Sequence, residues 1–294
     1  MIRVISNDKI RIKLTDRCNL ECPFCHAEGG RGASDIDVGD SDLWATLARL
    51  RGPFTRVHLT GGEPTMHRAL PEVCRRIAEM EYGVAITTNG LFSKSRMLES
   101  VPHLQYANVS IHSLRPEYIE TLVGQNRRGK AIASTLSRNV TWLAAHVPVH
   151  INTVVTGRAN IGDLDALLEF AETVGARLKL VPDYRYVNES TDAIMEWLER
   201  GGFTHTASHA IVPGSNVRKT YARGNLEVEC KTITKWTPPI QCDRCNVRDD
   251  CVEGFSFIRM EGNPLQVRMC LGQPPIPPSN LNSLLLEGLG FHRQ

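Results

Sequence analysis

The 294-residue sequence lacks several features that would place it in a common protein class. It has no surplus of either charge, because 34 lysines and arginines stand against 32 aspartates and glutamates, so electrostatics points to neither a nucleic-acid nor a membrane-surface partner. No stretch approaches the roughly 18 apolar residues of a membrane span, residues 1–15 lack the apolar core of a signal peptide, and no internal repeat is present. We therefore expect a cytoplasmic protein that handles a small molecule.

Short β-branched runs do alternate with amphipathic stretches through residues 10–182. The predicted strands cover residues 10–15, 56–60, 84–88, 107–111, 150–155 and 177–181. The predicted crossover helices lie at 41–51, 69–81, 132–146 and 161–174. This alternation predicts an α/β fold, a partial (β/α)6 barrel whose functional residues gather at the carboxyl ends of the strands.

The pattern changes after residue 202, where turn residues become frequent and helical periodicity fades. Five of the nine cysteines follow in this part. We predict two domains, the barrel at 1–202 and a small cysteine-rich domain at 203–294. In a reducing compartment, clustered cysteines more often bind metal or take part in redox chemistry than form disulfides.

Three of the remaining cysteines lie in one loop after the first predicted strand. Cys18, Cys22 and Cys25 fall within eight residues, close enough to bind one cluster. Three protein ligands for a four-iron cluster leave one iron open to a chelating molecule. A structural zinc site usually has four ligands in two pairs, and only His26 stands beside these thiols.

The CxxxCxxC spacing of Cys18, Cys22 and Cys25 resembles the radical S-adenosylmethionine (SAM) superfamily. Gly61-Gly62-Glu63-Pro64, after the second strand, resembles the motif with which that family receives the methionine amino group of SAM. The resemblance implies a [4Fe-4S] cluster at the three cysteines and SAM as co-substrate. It also implies an electron donor such as flavodoxin or ferredoxin, and a 5'-deoxyadenosyl radical that abstracts hydrogen from an unactivated carbon.

The same resemblance assigns further positions to SAM binding. They are Phe24 near the adenine, and Thr88, Asn89, Ser110, Asn152 and Val181 along the later strands. Each of these residues taken alone is as easily a cap, a turn former or a core residue.

The C-terminal cysteines resemble an auxiliary-cluster domain of the same superfamily, which implies a second [4Fe-4S] cluster. We expect Cys230, Cys242, Cys245 and Cys270 as its ligands. Another pattern, built on Cys242, Cys245 and Cys251, would leave Cys230 spare. A zinc ribbon is the structural alternative.

With Cys251 left free, the chain resembles aminoglycoside epimerases, which invert a sugar carbon as in the conversion of neomycin C to neomycin B. Cys251 would return hydrogen to the opposite face of the radical. Acidic residues between 227 and 253 would suit a polycationic aminoglycoside, although they equally suit a solvated surface.

Three alternatives remain open. A nucleotide (GTP) cyclase of the superfamily shares sequence in several loops, but the wide spacing between Cys245 and Cys270, the different C-terminus and the extra cysteines depart from it. A triphosphate also requires more arginines than the motifs show. A peptide-maturing radical SAM enzyme and a non-enzymatic iron-sulfur or zinc scaffold complete the set.

Overall fold

The computed structural model describes residues 2–25, 34–123, 129–212, 216–233, 242, 245, 258–268, 270 and 274–281. The strands are β1 (Ile2–Ser6), β2 (Lys9–Lys13), β3 (Arg56–Thr60), β4 (Gly83–Thr88), β5 (Leu104–Ser110), β6 (Val149–Val155), β7 (Arg177–Pro182), β8 (Thr204–Val212), β9 (Asn216–Arg223), β10 (Leu226–Ile233), β11 (Ile258–Glu261) and β12 (Gln266–Arg268). The helices are α1 (Ser41–Leu50), α2 (Leu70–Glu79), α3 (Lys94–Ser100), α4 (Pro116–Val123), α5 (Gly129–Ala144), α6 (Leu164–Thr173) and α7 (Val187–Arg200).

Strands β2 to β7 form a continuous parallel run in chain order, each paired with the next. All six predicted strands are present, and α1, α2, α5 and α6 occupy the four predicted helical stretches. The expected α/β architecture with a barrel-type parallel core is confirmed.

Helices α3, α4 and α7 were not expected from the sequence. The longest of them, α7, is rich in residues of low helix propensity near its start, including Asn188, Ser190 and Thr191. Packing of Ile194, Trp197 and Leu198 against the barrel overrides that local preference.

The sheet extends beyond the six predicted strands. Strands β8, β9 and β10 continue the sheet from β7, and β8 pairs in parallel with β1. Only Asn7 and Asp8 separate β1 from β2, so the two form a nearly continuous N-terminal strand. Its β1 part pairs with β8, and its β2 part pairs with β3. The predicted boundary at residue 202 stays a prediction, and the three strands after it belong to this same sheet.

The two faces of the barrel strands differ in chemistry. In β6, the side chains of Ile151, Thr153 and Val155 are fully buried on the outer face, beneath the helices. His150 and Asn152, which alternate with them in sequence, lie on the inner face. In β2, Ile10 and Ile12 are likewise buried, and Lys9 and Arg11 face inward. The apolar core therefore lies between sheet and helices, and the interior is polar.

Within the described residues, no helix is both long enough and apolar enough to cross a bilayer.

Candidate active site

The cysteine loop, residues 15–25, leaves the carboxyl end of β2. Cys18 and Cys25 are exposed and Cys22 is half-buried. The Cys25 amide donates to the Cys22 carbonyl at 3.1 Å, and the Leu20 amide donates to Cys18 Sγ at 3.4 Å. The backbone therefore turns so that all three thiols belong to one short, ordered loop.

The two glycines of Gly61-Gly62-Glu63-Pro64 dock this segment onto the cysteine loop. The amide of Gly62 donates to the Thr15 carbonyl and that of Glu63 to the Arg17 carbonyl, both at 2.7 Å. A Cβ on Gly61 would lie 2.6 Å from the Thr15 oxygen, and one on Gly62 would lie 2.3 Å from the Arg17 oxygen. Only glycine permits this backbone contact, which sets the two loops in fixed relation.

Glu63 is completely buried and joins the ends of β3 and β4. Its Oε1 accepts from the Thr65 amide at 3.1 Å, the Thr65 hydroxyl at 2.6 Å and the Thr88 hydroxyl at 2.7 Å, and its Oε2 accepts from the Asn89 amide at 2.7 Å. Burial raises the pKa of Glu63, and these hydrogen bonds oppose the rise. The carboxylate fixes the loop that carries Asn89.

The residues expected to bind SAM lie in the middle or the carboxyl-terminal half of the parallel strands, or directly after them. Thr88 ends β4 and Asn89 follows it, while Ser110, at the end of β5, is paired in register with Asn152 of β6. Val181 lies in β7, next to β6.

Phe24 is buried, and its ring meets the edge of His112 with centroids 4.6 Å apart. The His112 ring is also buried, which lowers its pKa to about 4, and its Nδ1 accepts from the Val154 amide at 3.0 Å. The structure thus brings the predicted positions to one end of the barrel. Their contacts with SAM stay a prediction.

Several supporting residues escaped the sequence analysis. Asn19 accepts from Asn89 Nδ2 at 2.6 Å and donates to the Leu91 carbonyl at 3.1 Å, which links the cysteine loop to the loop after β4. Asp35 accepts from the Thr15 hydroxyl and the Arg17 guanidinium. Burial acts to raise the pKa of Asp35, but these hydrogen bonds hold it below its usual value. No local motif marks such long-range pairs.

A second support comes from the loop after β7. Arg185 donates to the Pro23 carbonyl, between Cys22 and Cys25, at 2.7 Å, and its other nitrogens hold the carboxylate of buried Asp183.

The thiols suit an iron-sulfur cluster. Burial, together with the nearby Cys18 and Cys25, raises the pKa of Cys22 to about 12, so thiolates here need a positive partner. Among the described residues no three His, Cys, Asp or Glu side chains meet where a single metal ion could sit. A four-iron cluster differs in this respect, because its three thiolates bind separate irons.

Comparison with known families supports this assignment. The model of the radical SAM superfamily matches residues 12–171, more than half of the chain, and this range carries the cysteine loop and the glycine motif. The chain belongs to the radical SAM superfamily. Members of this family use SAM with a [4Fe-4S] cluster. Cys18, Cys22 and Cys25, which lie within the matched range, stay the predicted ligands of that cluster.

Among curated proteins, this radical SAM chain is similar to two probable GTP 3',8-cyclases. The Thermococcus kodakarensis protein is 34% identical over 179 residues, covering 58% of this chain and 55% of the relative. The Sulfolobus acidocaldarius protein is 27% identical over 246 residues, covering 81% of this chain and 76% of the relative. The first match thus spans about half the length of that relative.

Among solved structures, Streptococcus suis SuiB bound to S-adenosylmethionine matches with a TM-score of 0.53 at 16% identity, over 66% of this chain and 48% of SuiB. The anSMEcpe enzyme with bound AdoMet matches with a TM-score of 0.52 at 16% identity, over 65% of this chain and 58% of that one. These likenesses support the fold.

A polar cavity occupies the barrel interior of the radical SAM core and reaches Asn152 and Val181. From the described part of the chain, the cavity lining includes six basic side chains and one carboxylate: Lys9, Arg11, Arg56, Lys179, Arg218, Lys231 and Glu229. Glu229 Oε1 lies 3.8 Å from Lys179 Nζ and 3.7 Å from Arg218 Nε. Asp8 pairs with Arg56.

The buried amines of this cavity are hard to charge. Burial lowers the pKa of Lys9 to about 7, and Arg218, Arg56 and Lys179 add repulsion. Burial lowers the pKa of Lys179 to about 8, against the attraction of Glu229. Lys179 Nζ also lies 3.0 Å from His150 Nδ1, whose pKa falls to about 3 through burial and the nearby lysine. Basic side chains thus outnumber carboxylates in the described lining of this cavity.

Cys230 differs from Cys242, Cys245 and Cys270 in its environment. Cys230 lies in β10, in register with Leu180, and packs in the apolar core. Burial raises its pKa to about 12. The Cys245 amide donates to the Cys242 carbonyl at 3.0 Å, and Cys270 is half-buried. Cys251, the expected hydrogen donor, lies outside the described residues.

Proposed function

We propose that this radical SAM enzyme acts on an anionic small molecule, most simply a nucleotide, and that the aminoglycoside epimerase expectation should give way to the cyclase-like alternative. The observation that carries the proposal is the excess of cationic side chains lining the barrel cavity. Similarity to the probable GTP 3',8-cyclases points to the same substrate class.

The charge of the cavity distinguishes the two substrate classes. Two like charges 4 Å apart repel by about 4 kcal/mol at an effective dielectric of 20, and an opposite charge is attracted by the same amount. A polycationic aminoglycoside would therefore meet repulsion from Lys179 and Arg218, and Glu229 is the one carboxylate that the described residues place in the lining. Phosphate oxygens would meet ammonium and guanidinium donors there.

The motifs alone show too few arginines for a triphosphate, but the cavity supplies more of them. Arg11, Arg56 and Arg218 come from three different strands, so their convergence is invisible in local sequence. Because Asn152 and Val181 line the same cavity, a ligand anchored among the cations would extend toward the end of the barrel that carries the cysteine loop.

When bound, the cluster and SAM supply the 5'-deoxyadenosyl radical that removes hydrogen from the substrate. The residues of this chain perform the other tasks. Cations of β2, β7 and β9 anchor the anionic group, and the hydrogen bonds of Glu63 hold the loop on the SAM side.

For the second cluster, we propose Cys242, Cys245, Cys251 and Cys270 as ligands, in place of the set that includes Cys230. The support is the position of Cys230 in the apolar core, whereas Cys242, Cys245 and Cys270 are only half-buried. Cys230→Ser should keep the iron content of two clusters, about eight irons per chain, whereas Cys242→Ser should lose about half of it. Equal losses in both variants would restore Cys230 as a ligand.

The substrate proposal is tested by anaerobic SAM cleavage. Nucleoside triphosphates and neomycin-type aminoglycosides are compared for stimulation of 5'-deoxyadenosine formation in wild type, Lys179→Met and the exposed control Lys130→Met. We expect stimulation by a nucleotide, lost in Lys179→Met and kept in the control. Stimulation by an aminoglycoside alone, accompanied by an inverted sugar carbon, would overturn the proposal.

A further inference from the structure

The loop that follows β7 contacts the cysteine loop through one arginine. Asp183 is almost fully buried and accepts from the Arg185 amide at 3.0 Å, Arg185 Nε at 3.0 Å and Arg185 Nη2 at 2.6 Å. The remaining nitrogen, Nη1, donates to the Pro23 carbonyl at 2.7 Å across 162 residues of sequence. Asp183 thus orients Arg185, and Arg185 holds the segment between Cys22 and Cys25.

The geometry depends on the planar fork of the guanidinium. Two of its nitrogens are fixed on one carboxylate, which aims the third at a carbonyl, and an ammonium group cannot reproduce that arrangement. Burial acts to raise the pKa of Asp183, but the Arg185 hydrogen bonds hold it below its usual value. The pair therefore stays ionised at neutral pH.

A neighbouring loop provides a built-in comparison. Arg115, after β5, holds the carboxylate of buried Asp163 with Nε and Nη2, and its Nη2 also donates to the Ala159 carbonyl at 3.2 Å. Both pairs join an arginine of low burial to a buried aspartate in a loop that follows a barrel strand. Their partners differ, since Arg115 bonds to Ala159 and Arg185 bonds to Pro23 of the cysteine loop.

We propose that the Asp183–Arg185 pair is a clamp that positions the cysteine loop for its cluster by tying it to the loop after β7. The inference rests on membership of the radical SAM superfamily and is independent of the proposed anionic substrate. Arg185 is a positioning residue, acting through the Pro23 carbonyl on the spacing of Cys22 and Cys25.

The test compares Arg185→Met, Arg185→Lys and Asp183→Asn with the matched control Arg115→Met in anaerobically reconstituted full-length protein. Two readouts are used: the rate of iron loss to a chelator, and the change that SAM causes in the electron paramagnetic resonance spectrum of the reduced protein. SAM binds the open iron, so this change reports on the three-cysteine cluster even if a second cluster is present. Circular dichroism checks the fold of each variant.

We expect Arg185→Met to lose iron about tenfold faster than wild type and to show a weakened SAM-induced spectral change, a free-energy effect of about 1.4 kcal/mol. Arg185→Lys should recover only part of both, because it keeps the charge without the fork. Arg115→Met should behave as wild type. The clamp is disproved if Arg185→Met matches wild type, or if both arginine variants change equally. A wild type without any cluster would instead contradict the assigned cofactor.

Discussion

The mouth of the barrel, meaning the loops at the carboxyl ends of its parallel strands, and the cavity beneath it are built on the same strands. Their charged side chains, however, are paired in opposite ways. At the mouth, Glu63 is enclosed by four protein donors, and Asp35 and Asp183 are each held by an arginine. In the cavity, Lys179 and Arg218 share Glu229 at distances longer than a hydrogen bond.

The difference separates two kinds of site. A carboxylate with all its hydrogen bonds made within the protein fixes the shape of a loop before any ligand arrives. A group of buried cations with little negative charge is instead costly in the empty protein and is relieved when an anion binds. The mouth is thus organised by the chain itself, and the cavity is organised for a ligand.

The strongest test of the mouth replaces Glu63 by leucine. The Thr65 and Asn89 amides would then lose their buried acceptor, at about 1–3 kcal/mol for each unsatisfied donor. We expect the free energy of unfolding to fall by more than about 3 kcal/mol in urea titrations. Glu79→Gln, on an exposed part of α2, should change it by less than about 0.5 kcal/mol. A small effect of Glu63→Leu would mean that the mouth is not held by this carboxylate.

A smaller effect is expected from Gly62→Ala, which tests the contact between the two mouth loops. The added Cβ would lie 2.3 Å from the Arg17 carbonyl oxygen, so one loop must move. Such overpacking typically costs about 1–3 kcal/mol, and here it should also reduce cluster occupancy, measured as iron per chain. Gly162→Ala is the matched control, since its Cβ would meet nothing within 4 Å. Unchanged iron content in Gly62→Ala would show that the contact of Gly62 with the cysteine loop is not needed for cluster binding.

Local sequence patterns predict some features of the mouth and miss others. The six parallel strands and the motif of Gly61 and Gly62 follow from local patterns, because alternation and glycine pairs are read within a few residues. The contacts between loops are different, because no motif marks the bonds from Glu63 to the loop after β4 or the bond from Arg185 to the Pro23 carbonyl.

The cationic cavity left a signal that the sequence analysis did not use. In β2, Lys9, Arg11 and Lys13 alternate with buried isoleucines, and in a barrel strand this alternation sends lysine and arginine inward. What sequence alone could not provide is the register that sets Glu229 beside Lys179. The core position of Cys230 depends on that same register.

The cavity should bind anions with a pH dependence that the mouth lacks. Sulfate is a suitable probe because it stays a dianion from pH 6 to 9. Lys9 and Lys179, with pKa values of about 7 and about 8, are protonated below those values and neutral above them, so sulfate binding should weaken as pH rises through this window. We expect a loss of affinity of about tenfold, about 1.4 kcal/mol, by calorimetry.

Two variants distinguish sulfate binding in the cavity from sulfate binding at the protein surface. Lys179→Met should flatten the upper part of the pH profile, and Lys130→Met should leave it unchanged. Binding that is the same at pH 6 and pH 9 would show that these buried amines do not contact the anion. The opposite sign, tighter binding at high pH, would contradict the charge argument altogether.

The smallest expected effect concerns Glu229, which partly neutralises Lys179 and Arg218 in the empty cavity. Glu229→Gln keeps the shape of the side chain and removes its charge, so sulfate should bind about threefold more tightly at pH 6, where both amines are protonated with or without Glu229. Because Glu229 raises the pKa of Lys179, its loss should also move the weakening of sulfate binding to lower pH. If Glu229→Gln weakened binding instead, the carboxylate would have to orient the cations, and the cavity would then resemble the mouth, where protein hydrogen bonds fix the site in advance.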